Sequence, residues 1–268
     1  IVAVVGFIDD HGHIAARWRL LAHFVSAGWG LYWLGGVPPL TVLGFVLDLG
    51  LIGNLIAVFY LVWLLNLYNF MDGIDGIASI EAITVCIGAT VLLLLTGGSV
   101  NDSAAILPLL LAFSVIGFLL WNFPPAKIFM GDAGSGFLGI ILGFLSIHAA
   151  HAGPDLFWGW LILLGVFIVD ATFTLMRRLL RGDKIYEAHR SHAYQYASRC
   201  YGRHRPVTIT VLIVNLCWLF PLAYMAIMGV LDGVLALLIA YIPLIGLAVY
   251  YHAGELECEP SPNQDSIL

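Results

Sequence analysis

The chain has 268 residues, 61% hydrophobic and only 10% charged, with a formal net charge of -6. A soluble domain carries about 25% charged residues, so the composition argues for an integral membrane protein, and the negative balance argues against a nucleic-acid surface. The four cysteines (Cys86, Cys200, Cys217, Cys258) show no CxxC or metal-ligand spacing, which suggests neither a disulfide framework nor a zinc site.

The chain opens on the apolar run Ile1-Val2-Ala3-Val4-Val5-Gly6-Phe7. It is too short for a bilayer core of about 30 Å, so it reads as the tail of a transmembrane helix whose beginning is missing. Asp9-Asp10-His11-Gly12-His13 follows, and then eight apolar segments at 18–34, 51–67, 79–97, 104–121, 137–151, 156–176, 207–228 and 232–252. These predict an all-α polytopic helical bundle, eight transmembrane helices plus a truncated one, in a single transmembrane domain over 1–252. Residues 35–50, with Pro38-Pro39, read as an ordered loop. The tail at 253–268, with Glu255, Glu257, Glu259, Pro260 and Pro262, reads as acidic and disordered.

If Asp9-Asp10 lies on the inner side and the spans alternate, all eleven Lys and Arg residues fall on inner segments and none on the outer ones. An excess of Lys and Arg marks cytoplasmic loops, so this split sets the orientation. It also puts every polar cluster of interest on one face.

The most informative stretch is Asn66-Leu67-Tyr68-Asn69-Phe70-Met71-Asp72-Gly73-Ile74-Asp75-Gly76. A polar group at every third position places Asn66, Asn69, Asp72 and Asp75 on one broad helical face. A helix cap needs one such residue; two acids and two carboxamides point to a site. Asp9, Asp10, Asp72, Asp75 and Asp132 all sit at inner ends of spans, where unpaired carboxylates repel one another, and a divalent cation relieves that. Asp132 lies in Met130-Gly131-Asp132-Ala133-Gly134-Ser135-Gly136, at a helix start whose amide groups offer a seat for phosphate oxygens. Mg²⁺ uses one or two carboxylates together with substrate phosphates.

The loop at 177–206 holds His189-Arg190-Ser191-His192, a group suited to phosphate binding or to acid–base work near neutral pH. The other basic residues of this loop read as topology markers on an anionic leaflet. Asp170, late in an apolar span, is either functional or paired with Arg177 seven residues on. His148 and His151, near an outer end, read as interfacial.

Taken in order, Asp9-Asp10, Asn66-x-x-Asn69-x-x-Asp72-Gly-Ile-Asp75-Gly-Ile-Ala, Met130-Gly131-Asp132-x-Gly134-Ser135-x-x-x-Gly139 and His189-Arg190-Ser191-His192 resemble the motifs of the bacterial polyprenyl-phosphate N-acetylhexosamine-1-phosphate transferases. That superfamily includes glycosyltransferase family 4 enzymes that initiate O-antigen synthesis, and the chain looks closer to that branch than to the peptidoglycan translocase: His13 stands where the translocase has lysine, and His-Arg-Ser-His replaces a triple-His signature.

The resemblance implies a Mg²⁺-dependent transferase of the bacterial inner membrane, with Mn²⁺ as a substitute and the active site facing the cytoplasm. Its substrates would be a UDP-N-acetylhexosamine and undecaprenyl phosphate, with a homodimer as a candidate assembly. It implies Asp132 as the metal ligand. Asp72, Asn122 and Phe129 would hold the uridine, Asn66, Asn69 and Arg190 would complete substrate binding, and Asp9, Asp10, Asp75, His189 and His192 would be catalytic. The alternative is a membrane transporter using acids at the cytoplasmic end, although such sites lie near the midplane within repeats, and no repeat is found.

Overall fold

The structure, a computed structural model, describes residues 1–12, 14–183 and 190–255. These form α1 (Val2–His11), α2 (Ala16–Leu34), a hairpin of β1 (Leu40–Val42) and β2 (Phe45–Leu47), α3 (Gly50–Met71), α4 (Ile77–Leu95), α5 (Ser103–Asn122), α6 (Gly131–Ala152), α7 (Pro154–Leu163), α8 (Gly165–Arg181), α9 (Ala193–Tyr201), α10 (His204–Val214), α11 (Phe220–Ile227) and α12 (Gly233–Tyr250). A single π-helical turn, Asn215–Leu219, joins α10 to α11.

Among the described residues six helical stretches are long and apolar enough to cross a membrane: α3, α4, α5, α6, the run His204–Ile227, and α12. The bent pair α7–α8 makes a seventh. The protein is therefore an all-α, multi-pass membrane protein. The expected segment at 18–34 is helical as α2, but Arg17 and Arg19 open it, and it falls outside that apolar set. The segment expected at 156–176 is not one straight helix: α7 and α8 meet at an angle of 67°. The expected loop at 35–50 carries the antiparallel hairpin, with Leu40 opposite Leu47, and Trp158 Nε1 donates to Thr41 O at 2.7 Å.

Because lipid is as apolar as leucine, helices in a bilayer associate through close packing at small residues. Gly6 illustrates this, since a Cβ there would lie 2.6 Å from Ala133 N and Cα. Close approach of α1 to α6 is thereby built into the sequence. At the centre, α4 is buried along most of its length, among side chains such as Tyr68, Leu142, Trp160 and Phe167.

The end of the bundle where α3 and α5 finish and α4, α6 and α10 begin also carries the Lys and Arg residues; we call it the basic end. At the far side of that end the chain returns on α8. Arg177 donates to Ala253 O at 3.1 Å and pairs with Glu255 at 2.8 Å. Residues 253–255 are thus packed, while 256–268 lie outside the described residues.

Candidate active site at the basic end

Helix α3 ends at Met71 and α4 begins at Ile77, so Asp72, Gly73, Ile74, Asp75 and Gly76 form the turn between two spans. The start of α6 lies beside this turn. Together they line a cavity of about 330 Å³ whose wall includes Asn69, Asp72, Asp75, Asn122, Phe129, Asp132 and His204. Burial first, and the Asp132 charge second, push the Asp72 carboxyl up to about 7. Two carboxylates thus face one space, and the charge of Asp132 opposes the ionisation of Asp72.

Asp132 is held by its neighbours while its side chain stays 40% exposed. Asn69 Nδ2 donates to Asp132 Oδ1 at 2.8 Å and to Ser135 Oγ at 3.0 Å. Arg19 pairs with Asp9, and its guanidinium stands 3.7 Å from Asp132 Oδ2. The Ile14 amide also donates to Asp9 Oδ1, at 3.0 Å. Asp9 therefore reaches the site through Arg19 and is one residue removed from the cavity wall.

Asp10 has a different place from the one expected. Its carboxylate accepts from Asp132 N at 2.9 Å and Ala133 N at 3.3 Å, capping the start of α6. The amide groups foreseen as a phosphate seat are thus taken by an acid of the chain itself, which suits the positive end of a helix. Gly131 is required there twice over, by a φ of +65° and because a Cβ would lie 2.8 Å from Asp10 Oδ2.

Asp75 also builds the wall. It accepts from Ala126 N at 3.0 Å, its Oδ1 lies 3.2 Å from His204 Nδ1, and its carbonyl accepts from Thr208 Oγ1 at 2.8 Å. Asn122 is buried and committed: Gly76 N donates to its Oδ1 at 3.0 Å, and its Nδ2 donates to Ile128 O at 2.9 Å. It braces the wall from behind. Phe129, in contrast, is 80% exposed, so its ring is open to stack on a planar ligand.

Three expected residues lie elsewhere. Asn66 Nδ2 turns back onto Val62 O at 2.7 Å, within its own helix, and is no part of the cavity lining; α3 ends at Met71, so Asp72 and Asp75 reach the cavity from the turn that follows and not from one helical face shared with Asn66. Arg190 is exposed and no part of the cavity lining. His192 is buried, with its Nδ1 3.3 Å from Asp170 Oδ1. His189, like His13, lies outside the described residues.

Asp170 explains that second cluster. It accepts from Thr174 Oγ1 at 3.1 Å, Ala193 N at 2.9 Å and Tyr194 N at 3.0 Å. The intramembrane acid thus caps α9 rather than pairing with Arg177. An apolar cleft of about 100 Å³ beside it, between α8, α9, α10 and α12, is lined mainly by Val, Leu and Ala side chains, with this satisfied carboxylate and the hydroxyls of Tyr194, Tyr201, Thr210 and Tyr251 as its polar members.

Sequence reasoning missed Arg19 and His204. Arg19 stands in Arg17-Trp18-Arg19 and His204 in Arg203-His204-Arg205, where both look like ordinary positive-inside residues. No spacing to another motif sets them apart.

Among the described residues no three His, Cys, Asp or Glu side chains converge as a metal cluster. Two carboxylates beside an open space fit the kind of donor set that Mg²⁺ takes where substrate phosphates supply the remaining ligands. They do not form that of a structural zinc site, which is closed by four protein ligands.

A multi-pass helical bundle with a cavity at its basic end, walled by acids and an open aromatic ring, defines the class: an all-α polytopic membrane protein. Comparison with known proteins places it more closely. Residues 1–150 match the family model described as glycosyl transferase family 4, and the chain belongs to that family. It is 31% identical over 223 residues to a Bacillus subtilis protein named "Probable undecaprenyl-phosphate N-acetylglucosaminyl 1-phosphate transferase", covering 80% of this chain and 60% of the relative. It is 28% identical over 235 residues to the "Decaprenyl-phosphate N-acetylglucosaminephosphotransferase" of Mycolicibacterium smegmatis, covering 80% and 58%. To the "Phospho-N-acetylmuramoyl-pentapeptide-transferase" of Streptococcus thermophilus it is 29% identical over 220 residues, covering 77% and 58%. The matched part of the chain thus spans about 60% of the length of these relatives.

Proposed function

We propose that the chain carries the transfer site of an enzyme that moves an N-acetylhexosamine 1-phosphate from a UDP-sugar to polyprenyl phosphate. The site would face the cytoplasm of a bacterial inner membrane. The observation that carries this reading is one cavity that joins Asp72 and Asp132 to the open ring of Phe129, in a chain of this family. Relatives named for polyprenyl-phosphate transfer support the substrate class, and they do not favour the transporter alternative. The Lys and Arg residues gathered at the site's end support the cytoplasmic orientation.

In this reading an oxygen of the lipid phosphate attacks the β-phosphorus of the UDP-sugar. The bond from that phosphorus to the bridging oxygen breaks, and the bridging oxygen leaves with UMP. The product is a sugar joined to the lipid through a diphosphate. Such a transfer asks the protein for alignment and charge neutralisation. A bound Mg²⁺ would neutralise the diphosphate charge.

Asp132 and Asp72 would hold that ion, Asp132 being aimed by Asn69. Phe129 would stack on the uracil and fix the nucleotide end. Arg19 would hold Asp9 in place to position the lipid phosphate and would itself add positive charge near Asp132. His204, turned onto Asp75, would shape the wall against the diphosphate.

The test is UMP release by the protein in detergent or nanodiscs, with polyprenyl phosphate and Mg²⁺ each omitted in turn. Release that needs both is expected. Release without the lipid phosphate would make the enzyme a hydrolase, and movement of UDP-sugar across a sealed bilayer without UMP release would return the transporter.

A further inference from the structure

Glu81 is a fully buried acid one turn into α4, and nothing in the proposed reaction uses it. Asn215 Nδ2, at the start of the π-helical turn, donates to Glu81 Oε2 at 2.7 Å and to Thr84 Oγ1 at 2.7 Å. Glu81 Oε1 and Asn215 Oδ1 are both buried without a hydrogen-bond partner. The Phe167 amide, in the first turn of α8, faces the same carboxyl.

Two buried acceptors on one acid–amide contact are costly to leave unmade. A single proton on Glu81 satisfies both. Among the described residues no Lys, Arg or His pairs with Glu81; the other titratable groups that sense it are the phenols Tyr68 of α3 and Tyr241 of α12. An acid at membrane depth without a cation is held more cheaply neutral than charged.

We infer that Glu81 is a protonated carboxylic acid closed onto the Asn215 carboxamide by two opposed hydrogen bonds, and that this pair sets the rotation of α10 that brings His204 and Thr208 onto Asp75. Asn215 Nδ2 donates one bond and Glu81 Oε1 the other. The pair joins three helices where two of them break from regular geometry: the π turn after α10 and the bend at the start of α8. A π turn adds one residue to a helical circuit and so fixes which face the preceding turns present. The face it fixes here carries Thr208, whose Oγ1 donates to Asp75 O at 2.8 Å, and His204, 3.2 Å from Asp75 Oδ1. Glu81 is thus a positioning residue, acting on the cavity wall through α10. Its effect on turnover rests on the proposed transfer reaction; its protonation does not.

The test uses the protein in detergent or nanodiscs and two readouts. Infrared difference spectra of wild type against Glu81→Gln should contain the carbonyl band of a protonated carboxyl group at neutral pH, where an ordinary Glu, with its value of about 4.3, is ionised. Glu81→Gln keeps both hydrogen bonds as an amide–amide pair and should retain turnover within about threefold. The exchanged pair Glu81→Gln with Asn215→Asp should do likewise, with the carboxyl band restored. Glu81→Leu, which fills the space and strands Asn215, should lower turnover by about ten- to a hundredfold, the scale of a small misplacement at a reacting centre. No protonated-carboxyl band, or a Gln variant as impaired as the Leu variant, would overturn the inference. If no variant or wild type releases UMP, the transfer reading fails while the infrared result still decides the protonation.

Discussion

Two acids, Asp132 and Asp170, are each open to a functional reading in the sequence and have opposite surroundings in the structure. Asp170 is buried, and its two oxygens take up two backbone amides of α9, the Thr174 hydroxyl and the His192 ring. Asp132 takes one hydrogen bond from Asn69 and keeps its side chain 40% exposed beside Asp72 and the cavity. A carboxylate whose lone pairs are filled by the fold is a structural part. One that is aimed but incompletely bound, next to a second acid, is prepared for a ligand. His192 follows Asp170 in this respect, although its motif reads as catalytic.

The largest effect that would break the contrast is on turnover. Asp132→Asn keeps the size and the contact with Asn69 but removes the charge for the cation, and should lower Mg²⁺-dependent UMP release by roughly a thousandfold, about 4 kcal/mol of barrier. Asp170→Ala should do the reverse. It strands the α9 amides and should destabilise the protein by about 3 kcal/mol, seen as a lower melting temperature in detergent, while folded protein keeps its turnover. Comparable kinetic losses in both variants would erase the distinction.

Phe129→Ala comes next. Stacking of a base on an aromatic ring is worth about 1 to 3 kcal/mol, so its KM for UDP-sugar should rise by roughly five- to a hundredfold with little change in kcat. An unchanged KM would remove the uracil assignment.

A smaller effect concerns pH. The Asp72 carboxyl is raised from its ordinary value to about 7 by burial and by Asp132, so the native state binds a proton more tightly than the unfolded chain does. Stability of the Mg²⁺-free protein should therefore fall as pH rises from about 4 and level off above about 7. Thermal melts across that range should lose much of the slope in Asp72→Asn. A slope of opposite sign would show that Asp72 is held charged. Smallest of all, Asn66→Ala should change turnover by less than about threefold, because its carboxamide serves only its own helix.

Much of the site was legible before the fold. Carboxylates at span ends repel unless something binds them, so Asp72, Asp75 and Asp132 announce themselves by type and place. Apolar length marks the spans, but it says nothing of the bend at Leu164 or the π turn at Asn215, which tertiary packing decides. A motif also does not tell which members face the ligand. Asn66 lies one turn too early, Asn122 is spent on Gly76 and Ile128, and Asp10 is spent on the α6 amides. Arg19 and His204 were hidden among basic residues whose presence topology alone accounts for. Only the folded chain separates a charge that marks orientation from one that touches an acid.

The most direct measurement of the central claim is Mn²⁺ binding, followed by electron paramagnetic resonance, in the protein with a UDP-N-acetylhexosamine present. Nucleotide-dependent binding to wild type and to Asp170→Asn, with its loss in Asp132→Asn, is the predicted result. Unaltered binding in a folded Asp132→Asn protein would contradict the account.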